Sequence, residues 1–102
     1  METERRHYPR RHIVLEVRSE DLGQSDLHTT DISLGGCYIE TTGHVTVGDQ
    51  ITFEIRLPEG TWVLLQGAVV YHHQAMGFGL RYTGLTEAQR SVLAQLIEGA
   101  GP

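Results

Sequence analysis

At 102 residues, 39% of them apolar, the chain has the size and composition of one folded domain and is too short for a catalytic domain plus an accessory one. A formal charge of −5 speaks against a protein that coats DNA or RNA, no apolar run approaches the length of a membrane span, and METERRHYPRRH lacks signal-peptide character. The lone cysteine, Cys37, excludes an internal disulfide framework and a CxxC zinc site, so a soluble cytoplasmic domain is expected.

The charge is uneven along the chain. Residues 1–12 carry Arg5, Arg6, Arg10 and Arg11 against Glu2 and Glu4, a net +2, while residues 13–102 set four arginines against eleven acids, a net −7. All eight basic residues are arginine. The guanidinium fork grips phosphate or a guanine edge bidentately and stacks on rings, whereas lysine is a mobile point charge. An arginine arm over residues 1–11 on an acidic body therefore points to a compact anionic partner, although a solvated, frayed terminus has the same composition.

From residue 12 the pattern is mostly β. Residues 12–18 alternate, with Ile13, Leu15 and Val17 on one face, and 27–33 read as a weaker strand. Gly35-Gly36 punctuates the chain before a strand at 37–40. Residues 50–57 alternate most clearly, through Ile51, Phe53, Ile55 and Leu57. Leu57-Pro58-Glu59-Gly60 fits a type I turn. Residues 61–72 form a long strand with Gly67 as its expected bulge or bend. In 77–82, Phe78, Leu80 and Tyr82 share a side, and Gly77 and Gly79 let something approach closely on the other. The period then changes to that of a helix over about 86–98, with Thr86 as N-cap, Gln89 completing a capping box, and Gly99 as the stop. Six short strands and one helix predict an all-β fold, a small antiparallel barrel over 12–99 with the helix packed across an open end or side. Phe53, Phe78 and Trp62 read as core; Tyr71 and Tyr82 fit core or rim.

Two motifs carry chemistry. In Arg5-Arg6-His7-Tyr8-Pro9-Arg10, Pro9 keeps the stretch out of a helix, so the arginines belong to a loop. In Asp31-Ile32-Ser33-Leu34-Gly35-Gly36, Asp31 and Ser33 are two apart in the expected strand and would project to one face. Asp31 can accept from paired N–H groups such as a guanine edge, and Ser33 can donate to phosphate. Gly36 would let a ligand reach the main chain.

These segments resemble the PilZ domain, a bacterial family that binds cyclic di-GMP. Its signatures, R-x-x-x-R in an N-terminal loop and D/N-x-S-x-x-G on the barrel, match Arg6 to Arg10 and Asp31 to Gly36 without substitution, and G-F-G-L-R-Y-T-G-L-T before a helix is similar to the family's close. The resemblance implies a six-stranded PilZ-like barrel and a ligand site of Arg5, Arg6, Arg10, Asp31, Ser33, Gly35 and Gly36. Arg6 and Arg10 would clamp guanine and phosphate, with Arg5 stacking on a second base. The arm would order on the ligand and pass a signal to an effector protein, because the chain carries no output domain of its own. Control of motility, adhesion or exopolysaccharide in a bacterium is the implied setting.

Other classes compete. A ligand-independent PilZ-like adaptor usually loses motif residues, and this chain keeps both motifs. A single-strand nucleic-acid barrel needs a basic aromatic groove, which the −7 body opposes, so no DNA or RNA partner is expected. Six scattered histidines lack ligand spacing, and His72 and His73 would face opposite ways on a strand, so neither metal nor cofactor is expected. Without a G-x-S-x-G elbow or room for a substrate cleft, the chain does not read as an enzyme. Cys37 reads as a buried small hydrophobe.

Overall fold

The computed structural model describes residues 9–23 and 26–99. Its six strands are β1 (Glu16–Arg18), β2 (Leu27–Ile32), β3 (Gly36–Glu40), β4 (Gln50–Arg56), β5 (Trp62–His73) and β6 (Gly77–Tyr82), and α1 (Glu87–Gly99) follows them. They close a barrel in the order β1-β2-β3-β6-β5-β4, every pair antiparallel. The expected all-β barrel with a C-terminal helix is therefore the fold.

Period-two alternation builds the interior. Val17, Ile51, Phe53, Ile55, Leu65, Val69, Phe78 and Leu80 are all buried in one cluster. Each such side chain contributes about 1.5–3 kcal/mol on leaving water. Val45, from the connection between β3 and β4, and Leu93, from α1, join that cluster. The β4–β5 hairpin turns as its sequence predicts: Gly60 N–H donates to the Leu57 carbonyl at 2.8 Å, with Gly60 at φ 105°. The helix opens on a complete capping box, in which Thr86 Oγ1 accepts from the Gln89 amide at 3.0 Å and Gln89 Oε1 accepts from the Thr86 amide at 2.7 Å. Gln89 also ties α1 to the barrel, its Nε2 donating to the Leu64 carbonyl at 2.7 Å.

Four local expectations are corrected. β1 begins at Glu16 rather than residue 12, because Thr29 takes over the pairing upstream. Thr29 is fully buried; its Oγ1 accepts from the Leu15 amide and donates to the Ile13 carbonyl, and β2 bulges between Thr29 and Asp31. Gly67 pairs regularly with Ile51 and Tyr82, and the β5 bulge falls between Val69 and Tyr71. Gly67 is small because a Cβ there would press on the Arg81 carbonyl. Trp62 lies outside the core cluster, opposite Arg56 on the outer face, with the Arg18 guanidinium 3.8 Å from its ring centroid. Finally, Arg11, expected in the free arm, exchanges both backbone hydrogen bonds with Ile32 at 2.9 Å.

Gly36 lies on β3 where β6 comes closest. A Cβ there would overlap the Leu80 carbonyl oxygen and sit 3.2 Å from the Arg81 Cα. The glycine is thus demanded by the barrel's own strand pairing, rather than by space for a ligand. Gly36→Val should cost about 3 kcal/mol or more, visible as a large drop in melting temperature. A wild-type melting temperature would show that the seam can spread. Thr86→Ala, which removes the cap, should cost about 1 kcal/mol in chemical denaturation.

Candidate ligand-binding groove

The Arg11–Ile32 bridge fixes where the N-terminal segment meets the barrel and lays Arg10 alongside the end of β2. Arg10 then reaches over the outer surface. Its Nη2 donates to the Tyr71 hydroxyl at 3.2 Å, and its Nε lies 3.7 Å from Asp31 Oδ1. The guanidinium pKa is raised, chiefly by the Tyr71 hydrogen bond and further by Asp31, against some loss of hydration. The ion pair is too long to be a hydrogen bond, so Asp31 Oδ1 is left buried and unpartnered among the described residues.

Strand register explains the surface beneath. Asp31 pairs with Tyr38, Tyr38 with Gly79, and Gly79 with Tyr71, so these four form one outward row across β2, β3, β6 and β5. Tyr71 rests on Gly79, where any Cβ would collide with its ring, and Gly77 makes similar room for Tyr38. The approach expected at these glycines is thus made by the protein's own rings. Tyr38 and Tyr71 lie with ring centroids 6.1 Å apart, and the Tyr38 hydroxyl is 3.1 Å from His73 Nδ1.

Ser33 departs from its expected placement. β2 ends at Ile32, so Ser33 does not share a strand face with Asp31. Its Oγ accepts from the Gly35 and Gly36 amides at 3.1 and 3.2 Å and donates to the Gly36 carbonyl at 3.2 Å. Serine followed by two glycines closes its own turn this way. The Ser33 hydroxyl, expected to donate to phosphate, is committed to shaping the β2–β3 turn. Gly35 supports the same turn, its carbonyl accepting from the Tyr82 amide at 3.0 Å.

These parts border an open groove of about 1000 Å³, lined by Arg10, Ser33, Gly35, Gly36 and Tyr71, and further along by Arg81 of β6 and Arg90 of α1. Among the described residues no carboxylate lines it. The sequence reading missed Arg81 and Arg90, and it left Tyr71 undecided between core and rim. No local signal marks either arginine, since strand register brings Arg81 to the groove and the docking of α1 brings Arg90. Arg5 and Arg6 lie outside the described residues. Asp31 is beside Arg10 rather than in the groove lining.

The family model for the PilZ domain matches residues 4–99. The chain belongs to the PilZ domain family. Two solved structures share the fold: the Bacillus subtilis inhibitor of motility MotI/DgrA, at 21% identity and TM-score 0.77, and the PilZ domain of CeSA from a cellulose-synthesizing bacterium, at 19% and 0.63. The first match covers 93% of this chain and 50% of MotI/DgrA, so this PilZ domain spans about half the length of that protein. The second covers 89% of this chain and 96% of the CeSA domain. No curated protein sequence matches the chain. Among the described residues no helix is long and apolar enough to cross a membrane.

Under the groove, burial pushes the Cys37 thiol up to about 12 and holds the Tyr82 hydroxyl well above its ordinary range. The two groups approach each other, yet Tyr82 makes no well-formed hydrogen bond among the described residues. Both stay protonated in the folded domain. An unfolded chain releases the thiol proton near 9.0, which the folded state still holds, so stability falls as pH rises from about 9 toward 12. Denaturation midpoints should decline across that window, less steeply in Cys37→Ala. A pH-independent midpoint would contradict the burial.

Proposed function

We propose that this PilZ domain is a receptor for cyclic di-GMP, a ligand with two phosphates and two guanines that needs cations, flat partners and a reader of its base edge. The reading is carried by one observation: Arg10, the second arginine of R-x-x-x-R, is held by Tyr71 and Asp31 at the rim of a groove whose floor is the Ser33–Gly36 turn of the second signature. Arg10 supplies a charged fork for guanine O6/N7 or phosphate, a contact worth roughly 1–3 kcal/mol in base discrimination. Asp31 sets its carboxylate against Arg10, to accept guanine N–H groups when the guanidinium turns onto the ligand. Ser33 and Gly35 act through the turn they build, and Gly36 by letting that turn join β3 to β6. Arg6 and Arg5 complete the cationic arm, Arg6 with Arg10 as a clamp and Arg5 on a second base.

Arg11 bridges to Ile32 and Arg10 contacts Tyr71 and Asp31, so ligand capture beside this bridge changes a surface offered to an effector protein. Each arm residue ordered costs about 1–2 kcal/mol, which limits affinity and makes the arm responsive to messenger concentration. The domain then acts as a cytoplasmic binding module, without catalysis. MotI/DgrA, described as an inhibitor of motility, makes motility a setting to test first.

Calorimetric titration with cyclic di-GMP should show saturable binding much tighter than that of GTP, with an oligonucleotide giving none. Arg10→Ala and Arg6→Ala should each weaken it by about tenfold or more. Because the Arg10 contacts are exposed, the apo melting temperature of Arg10→Ala should barely move. An unfolded Arg10→Ala would instead make the segment structural.

A further inference from the structure

Two arginines without an ion pair among the described residues share one groove of this acidic chain. Among the described residues, Arg18 pairs with Glu54 and Arg56 with Glu16, which spends their charge on the far side of the barrel. Arg10 is partly neutralised by Asp31. Arg81 and Arg90 are exposed and line the same groove as Arg10, and among the described residues they have no such ion pair and the groove lining holds no carboxylate. Register explains Arg81: it pairs with Gly36 and Ala68, so it points outward between two small neighbours. Arg90 stands one turn into α1, whose start is locked by the Thr86–Gln89 box and the Gln89–Leu64 bond. Two arginines from different elements are thus presented by rigid scaffolding. In a groove walled by low-dielectric protein, such charges act on an anion more strongly than they would on an open surface.

We infer that Arg81 and Arg90 form a second anion-binding pole that takes the phosphate lying across the ligand's ring from the one held at Arg10. The inference rests on the cyclic di-GMP reading. A single pole cannot hold both phosphates of a cyclic dinucleotide, since they sit on opposite sides of the macrocycle. A groove of about 1000 Å³ has room for a ligand that spans both poles. Arg81 and Arg90 thereby distinguish a two-phosphate ligand from a mononucleotide, which engages the Arg10 end alone. The second pole also brings ligand into contact with α1.

The test compares wild type with Arg81→Gln/Arg90→Gln, using cyclic di-GMP in calorimetry and 5′-GMP followed by the Gly35 and Gly36 amide signals. The double variant should lose about tenfold or more of its cyclic di-GMP affinity, while its 5′-GMP response stays within about twofold of wild type. In the wild-type protein, the Arg81 and Arg90 Nε–H signals should shift with cyclic di-GMP and remain still with 5′-GMP, a readout independent of the variant's stability. Unchanged cyclic di-GMP affinity in the double variant, or an equal loss for both ligands, overturns the second pole and leaves the receptor reading standing. Failure of wild type to bind cyclic di-GMP overturns both.

Discussion

The domain depends on how closely β3 and β6 can run past each other. Gly36 faces the Leu80 carbonyl with no space for a side chain, and Gly79 carries the Tyr71 ring directly on its backbone. Through that seam the β2–β3 turn, the aromatic row and Arg81 become neighbours. Widening it would separate the Ser33 turn from Tyr71 and Arg81, and the groove would lose two walls at once. The second sequence signature is therefore first a folding device: serine shapes the turn, and glycine permits the strand contact. Any role in recognition is built on that.

Charge placement follows from the same register. A chain with thirteen acids and eight arginines has enough carboxylates to neutralise every guanidinium. Antiparallel pairing instead sets Arg18 opposite Glu54 at 2.6 Å and leaves Arg81 opposite Gly36 and Ala68. The outer faces of β1 and β4 thus consume positive charge, and the face of β3, β6 and α1 retains it. Recognition of a small anion by an acidic protein needs such segregation more than it needs net positive charge. Trp62 belongs to the neutralised side, where it serves as a stacking plate for Arg18.

Much of the fold was legible because its signals are local. Strict alternation in Ile51, Phe53 and Ile55, the proline–glycine turn at 57–60, and the threonine–glutamine capping box are each set within a few residues. The errors arose where a distant partner decides. Thr29 displaced the start of β1 by bonding to Ile13 and Leu15, more than ten positions away. Gly67 reads as a bulge or bend because a glycine in a strand carries no record of the Arg81 backbone it faces. Trp62 reads as core because the flanking run is apolar on both faces, so its alternation gives no phase. Ser33 was placed on a strand that ends one residue before it.

By itself, the sequence determined the number of strands, the terminal helix with its cap, and family membership, which two ordered motifs already carried. Those features survive reading along a line, since each rests on spacing between near neighbours. The tertiary structure alone decided what the motif residues touch and which other side chains join them. Tyr71, Arg81 and Arg90 meet Arg10 only when the barrel closes, because contacts across a sheet depend on register, and register is set by the pairing of whole strands.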